Sequence, residues 1–120
     1  CLCSFDVSSM YTRIPVTETI EPMCESLSAA SLDASVVNQF CKLFSACISR
    51  NICSFQDQTY EFPDGLPMGG PRSALVADFY MDHLELIAAS SPLFRSYSFF
   101  WARYVDDIFC IWSGTETELD

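Results

Sequence analysis

The chain has 120 residues, of which 50% are hydrophobic, with six basic against sixteen acidic residues and a formal charge of −10. This apolar content excludes an intrinsically disordered chain and suits one compact domain or part of a larger one. Taken alone, the acidity argues against a nucleic-acid binder, because phosphate contacts need Lys and Arg. No stretch reaches the roughly 18 consecutive apolar residues of a membrane span, and we recognise no signal peptide, so we expect no membrane partner.

The seven cysteines are odd in number and lie mainly in apolar runs. Cys41 and Cys47 share an apolar helical stripe, and Cys110 lies between Phe109 and Ile111. No C-x-x-C pair occurs and the chain has a single histidine, which disfavours a zinc site. We therefore expect buried, reduced thiols and an intracellular protein.

The first half of the chain predicts a strand, two helices and a hairpin. Residues 1–7 form a short apolar run typical of a buried strand. One helix is expected to begin near Thr17, and a second is capped by Asp33. The second helix has an apolar stripe at a period near 3.6, which consists of Val36, Val37, Phe40, Leu43, Phe44, Cys47 and Ile48. Residues 52–55 and 59–62 read as two strands joined by the polar segment QDQ.

The second half predicts a loop, a helix and a second hairpin. The segment 63–71, PDGLPMGGP, is rich in turn residues. A helix follows from about Arg72 to Ala89, with one apolar face made of Leu75, Val76, Phe79, Tyr80, His83, Leu84 and Ile87. Residues 97–104 and 108–112 are apolar strands on either side of VDD. The predicted order is β-α-α-ββ-α-ββ, an α+β fold with an antiparallel sheet and helices packed on one face.

Two adjacent acids, Asp106 and Asp107, lie at the tip of the second hairpin. Unpaired carboxylates are costly in such an aromatic and apolar context, whereas a hard divalent cation among them offsets their repulsion. An ordinary β-turn, which favours Asp, is the alternative. Asp6 ends the first strand, where it either solvates the strand end or caps the next element. If the two strands are neighbours, Asp6 and Asp106 come together as the kind of site that Mg²⁺ prefers, with one or two carboxylates plus substrate phosphates.

Three segments carry a resemblance to a known family: FDVSSMYTRIP, GLPMGGPRSALVADFYMDHLE and RYVDDIF. In this order they resemble motifs A, B and C of reverse transcriptases, with wording most similar to that of Penelope-like retroelements. The resemblance extends from Phe5 to Trp112. It implies a polymerase palm over residues 1–120, with the fingers, thumb and endonuclease outside them. Because fingers and thumb carry much of the basic surface of such enzymes, an acidic palm is compatible with nucleic-acid binding.

The resemblance also implies a reaction and partners. The reaction is RNA-templated DNA synthesis, in which a dNTP is added to a primer 3′-hydroxyl with the help of two Mg²⁺ ions, for which Mn²⁺ substitutes. The partners are an RNA template, a DNA primer and a dNTP, and family analogy places the protein in the nucleus. We expect this fragment alone to have little or no polymerase activity.

The matching positions take the following roles from the resemblance. Asp6 and Asp106 are the main metal ligands, Asp107 is a supporting one, and the backbone carbonyl of Val7 adds an oxygen. Tyr11 lies under the incoming sugar and excludes a ribose 2′-hydroxyl; the alternative is a core tyrosine with a bonded hydroxyl.

The remaining positions are assigned to the nucleotide and the nucleic acid. Met68 and Gly69 are expected to pass the dNTP, with Gly70 and Ser73 near the template and Tyr104 near the primer end. The alternatives are a tight glycine turn and a Ser73 that caps the following helix.

Four positions depart from the Penelope-like pattern: Arg13, Asp64, Arg72 and Ala74. None is a predicted metal ligand. Two further readings stay open: an inactive or domesticated remnant of a palm, and a small acidic interaction domain without enzymatic activity, in which Asp6 and Asp106 lie far apart.

Overall fold

The computed structural model describes residues 1–62 and 64–119, so Pro63, the first residue of the predicted loop, and Asp120 lie outside the described residues. The predicted α+β class with antiparallel sheets is confirmed. The observed order differs from the predicted one by two short helices, Met10–Arg13 and Pro92–Tyr97, and a terminal 3₁₀ turn. In chain order the elements are β1 Leu2–Asp6, α1 Met10–Arg13, α2 Val16–Ala29, α3 Ala34–Ile48, β2 Asn51–Phe55, β3 Gln58–Phe62, α4 Ser73–Ser90, α5 Pro92–Tyr97, β4 Ser98–Tyr104, β5 Asp107–Trp112 and the 3₁₀ helix Glu116–Glu118.

The chain divides into two compact units. Cys1–Met10 and Met81–Asp120 form the first, which we call the sheet unit, and Tyr11–Tyr80 form the second, the helix–hairpin unit.

The sheet unit contains a three-stranded antiparallel sheet in the order β1-β5-β4. One face, the packed face, carries Trp101 of β4 together with Cys110 and Trp112 of β5, both of which are almost fully buried. Aromatic contacts cover this face, since Phe94 of α5 lies edge-on to Trp101 with ring centroids 5.2 Å apart. The opposite face, the open face, leaves the aromatic pair Phe100 and Phe109 exposed.

The first strand was predicted to be buried, and this is wrong. β1 is mostly exposed, and Leu2 retains 72% of its accessible surface. Within the described residues β1 is an edge strand that pairs only with β5. Because side chains alternate along a strand, Leu2, Ser4 and Asp6 lie on the open face.

The helix–hairpin unit is built from α2, α3 and the β2–β3 hairpin, with α2 and α3 packed together. Asp33 caps α3 as predicted, because its carboxylate accepts the amides of Ser35 at 2.9 Å and Val36 at 3.3 Å. The apolar stripe of α3 is only half covered: Val37, Phe44 and Ile48 are buried, whereas Val36, Phe40 and Leu43 are exposed. The hairpin turns at Gln56 and Asp57, which both have positive φ, as a two-residue type I′ turn requires.

The predicted apolar face of α4 is also displaced. Its buried residues are Ser73, Val76, Ala77 and Met81, whereas Leu75, Leu84 and Ile87 are exposed. The helix itself extends from Ser73 to Ser90, close to the predicted bounds. Periodicity therefore placed the helix correctly but not the side that is covered.

Candidate functional site

The predicted acidic hairpin forms by the pairing of β4 with β5. Tyr104 lies opposite Asp107, and Val105 and Asp106 make the turn between them. Val105 has a φ of 57°, a left-handed conformation that β-branched residues rarely adopt. Asp106 is therefore a turn residue, whereas Asp107 is the first residue of β5.

Strand β1 brings a third acid to this turn. Asp6 lies directly opposite Asp107 in the β1–β5 register, and the Val7 amide donates to the Asp106 carbonyl at 2.9 Å. Directly opposed side chains of an antiparallel pair share a face, with Cβ atoms about 4.5–5.5 Å apart. The expected neighbouring of the first strand and the acidic hairpin is thus present in the structure, with Asp107 rather than Asp106 opposite Asp6.

Of the three acids, Asp107 lines a depression of about 240 Å³ on the open face. It is lined next to Asp107 by Ser4, Ala102 and Phe109, and by Tyr104, which is 80% exposed. Asp6 and Asp107 are exposed, and Asp106 is half-buried. The end of the sheet that carries Asp6, Asp106 and Asp107, which we call the acid end, is thus accessible, and Tyr104 lies at its edge.

The chemistry of these donors fits a hard divalent cation. Within the described residues no three His, Cys, Asp or Glu side chains converge closely enough to hold a metal by themselves. A pair of carboxylates is nevertheless a sufficient protein contribution for Mg²⁺, which usually keeps water and substrate phosphates as its other ligands. The role of the Val7 carbonyl as a further ligand stays a prediction.

A second group of predicted residues belongs to the helix–hairpin unit. The Leu66 amide donates to the Tyr11 carbonyl at 2.7 Å, and Gly65 packs so closely on Thr12 that a Cβ added to it would lie 2.4 Å from the Thr12 carbonyl oxygen. The loop that follows Asp64 therefore lies along the backbone of Tyr11. Tyr11 and the start of the loop that carries Met68 are brought together by backbone contacts.

Within this loop, Met68 and Gly69 are accessible and Ser73 is not. Met68 is 79% exposed, and Gly69 has a φ of +80° with no atom within 4 Å of an added Cβ. Ser73 is buried, and its hydroxyl donates to the Pro67 carbonyl at 2.7 Å. A Cβ on Gly70 would lie 2.6 Å from that hydroxyl. Gly70 and Ser73 thus close the loop onto the start of α4, and their contact with a template strand stays a prediction.

Two functional contacts were missed by the sequence reasoning. Asp64 accepts the amides of Val16 at 2.8 Å and Gly65 at 2.9 Å, so it caps the start of α2 from 48 residues away. The available indication was Pro15, which lies at the N-cap of α2 and has no side-chain oxygen to accept a hydrogen bond from these amides.

The second missed contact is that of Arg103, whose guanidinium contacts two acids of α4 and the Val105 carbonyl.

Two of the cysteines, Cys24 and Cys110, are disfavoured as nucleophiles by their surroundings. Burial raises the pKa of the Cys110 thiol, on the packed face, with a further contribution from Cys3. In the helix–hairpin unit, burial and the neighbouring Cys41 raise the pKa of Cys24 to about 11. A raised pKa lowers the thiolate fraction, so both are poor nucleophiles at neutral pH.

Comparison with known proteins leaves the family open, because no protein-family model matches the chain and no curated protein matches it. None of the described helices is both long and apolar enough to cross a bilayer.

Proposed function

We propose that this chain is the palm region of a reverse transcriptase and that the acid end of its sheet unit carries nucleotidyl transfer from a dNTP to a primer 3′-hydroxyl. The observation that carries the proposal is the convergence of acids from two distant segments: Asp6 lies opposite Asp107, and Val7 is hydrogen-bonded to Asp106. A solitary acidic turn would not need a second acidic strand beside it. The three motifs that resemble reverse transcriptases add the expected order and spacing.

In this proposal Asp6, Asp106 and Asp107, with the Val7 carbonyl, are the residues that would hold two Mg²⁺ ions in the presence of the dNTP phosphates. When bound, the ions supply positive charge beside the attacking and leaving oxygens of an in-line displacement. The contribution of the chain is then to position the reactants and to hold the carboxylates at the acid end in place before the ions and the dNTP bind. Asp6 and Asp107 meet this requirement because they lie at paired strand ends rather than on a free loop.

The remaining residues orient the reactants. Tyr104 stands exposed at the edge of the acid end, where it supports the primer terminus. In the helix–hairpin unit, the resemblance to reverse transcriptases assigns Tyr11 to the exclusion of a 2′-hydroxyl and assigns Met68 and Gly69, on an accessible loop, to the passage of the nucleotide. The Leu66–Tyr11 backbone hydrogen bond couples these two parts of the nucleotide site.

Metal binding is the first test, and it needs only the chain itself. Mn²⁺ titration followed by electron paramagnetic resonance is expected to show binding that Asp6→Asn and Asp107→Asn each weaken at least tenfold, because each removes a carboxylate that would ligate the ion. Asp57→Asn is the matched control, since Asp57 is an exposed turn acid with positive φ in the other unit. Absence of Mn²⁺ binding, or an equal loss in the Asp57 variant, would contradict the proposal.

The reaction is tested in the full protein that contains these residues, with a DNA primer annealed to an RNA template. Asp6→Asn is expected to lower primer extension by about 1000-fold, because ion-mediated charge stabilisation supplies several kcal/mol. Tyr11→Ala is expected to keep dNTP extension and to raise rNTP incorporation. Extension that persists in Asp6→Asn would reject the assignment of this end as the reacting centre.

A further inference from the structure

Arg103 is a buried cation beside the acid end. Its side chain is only 7% exposed, and three parts of its guanidinium have acceptors. Nε donates to Glu85 Oε1 at 3.0 Å, Nη2 pairs with Asp82 Oδ1, and Nη1 donates to the Val105 carbonyl at 3.1 Å. All four residues belong to the sheet unit.

The helix side of this network consists of two acids of α4. Asp82 and Glu85 are three residues apart on α4 and therefore neighbours on its surface. Trp101 donates through its indole nitrogen to the same Glu85 oxygen at 2.9 Å. Trp101 and Arg103 are two residues apart on β4 and therefore lie on the same face of the sheet. Two carboxylates of α4 thus hold the guanidinium, and one of them, that of Glu85, also accepts a hydrogen bond from Trp101.

The strand side of the network ends at the acidic turn. Val105, whose carbonyl accepts from Arg103, has the left-handed conformation and directly precedes Asp106. Such a conformation persists in a β-branched residue only when its surroundings determine it. The Asp106 carbonyl in turn accepts the Val7 amide, so the position of the turn is passed on to β1 and Asp6.

We propose that Arg103 is a positioning residue, which ties the Val105–Asp106 turn to α4 and thereby holds Asp106 and Asp107 against Asp6. The use of these acids rests on the function proposed above, whereas the positioning itself does not. A lysine cannot replace the arginine, because its single ammonium lacks the planar fork that reaches three acceptors in different directions.

The test compares two amides in the 120-residue chain by hydrogen exchange. The Val7 amide, bonded to the Asp106 carbonyl, reports the turn, and the Ser113 amide, bonded to the Tyr97 carbonyl at 2.9 Å, reports the opposite end of the sheet. Arg103→Lys is expected to speed exchange at Val7 about tenfold or more and to leave Ser113 within about twofold. Arg95→Lys is the matched control, because exposed Arg95 donates to Ala89 on the helical side of the same unit.

Mn²⁺ titration of the same variants links positioning to the site. Arg103→Lys is expected to weaken Mn²⁺ binding about tenfold, as is typical when a residue that orients metal ligands is lost, and Arg95→Lys is expected to leave it unchanged. If Arg103→Lys does not fold, Asp82→Asn, at an exposed anchor, is expected to give the same selective change at Val7 with smaller size.

The outcomes separate the two proposals. Equal acceleration at Val7 and Ser113, or none at either, would overturn the positioning role, as would unchanged Mn²⁺ affinity in a variant whose Val7 amide is released. Selective release of Val7 in a chain that binds no Mn²⁺ would support positioning and count against the proposed function. Mn²⁺ binding that depends on Asp6 but not on Arg103 would support the proposed function and count against the positioning role of Arg103.

Discussion

Gly65 is a position where a single added methyl group is expected to destabilise the loop that follows Asp64. It has a φ of +91°, and a Cβ built on it lies 2.4 Å from the oxygen and 2.9 Å from the carbon of the Thr12 carbonyl. The left-handed conformation alone costs an L-residue about 1–2 kcal/mol. Because the contact is with backbone, the two segments must also separate, which adds about 1–3 kcal/mol and strains the hydrogen bond from Leu66 to Tyr11. We expect Gly65→Ala to lower the free energy of unfolding by about 3 kcal/mol.

Gly69 supplies the matched control. Its φ is +80°, nearly that of Gly65, but no atom lies within 4 Å of an added Cβ. Gly69→Ala should therefore lose only the conformational term, about 1 kcal/mol. Urea denaturation followed by far-ultraviolet circular dichroism measures both, and the difference between the variants isolates the contact with Thr12. Equal destabilisation of the two would refute the steric reasoning.

Three further changes probe other contacts. Asp107→Asn removes repulsion from Asp6 and is expected to stabilise the metal-free chain by about 0.5 kcal/mol, while it reduces the rise in Tm that Mn²⁺ gives the wild type. Asp64→Ala removes the cap on Val16 and should lower the free energy of unfolding by about 1 kcal/mol in urea denaturation; an unchanged midpoint would argue against the cap. Because the folded chain raises the pKa of Cys24 from 9.0 to about 11, the unfolded chain ionises first, so stability should fall as pH rises from about 9 to about 11, and Cys24→Ala should flatten that fall.

Locally encoded features of this fold were predictable from the sequence. The cap of α3 needed only Asp33 and the two amides that follow it, and the first hairpin needed only alternation and a polar turn. The structure shortens that turn to Gln56 and Asp57, because Gln58 is already paired with Phe55. Such elements are determined by neighbours a few residues away, and a sequence lists those neighbours directly.

Features decided by distant partners were not predictable in the same way. The apolar run of β1 is typical of a buried strand, yet Leu2 is exposed because it lies on the open face, where Phe109 of the central strand β5 is exposed as well. Asp64 departs from the Penelope-like pattern, and its role as the cap of α2 became visible only when the structure placed its carboxylate beside the Val16 amide. Arg103 stood next to the acidic motif, but its anchors, Asp82 and Glu85, lie on a helix about twenty residues earlier.

The candidate site depends on the strand register as much as on the acids themselves. Because side chains alternate along a strand, a slip of one residue would carry Asp6 from the open face to the packed face and away from Asp107. Residues outside the acid end fix that register. Cys3 lies opposite Cys110 on the packed face, and the ring of Phe5 stacks with that of Trp101 at 6.4 Å. Contacts on the packed face therefore determine which acids meet on the open face. The site proposed at this end thus depends on the alternation of apolar side chains along β1.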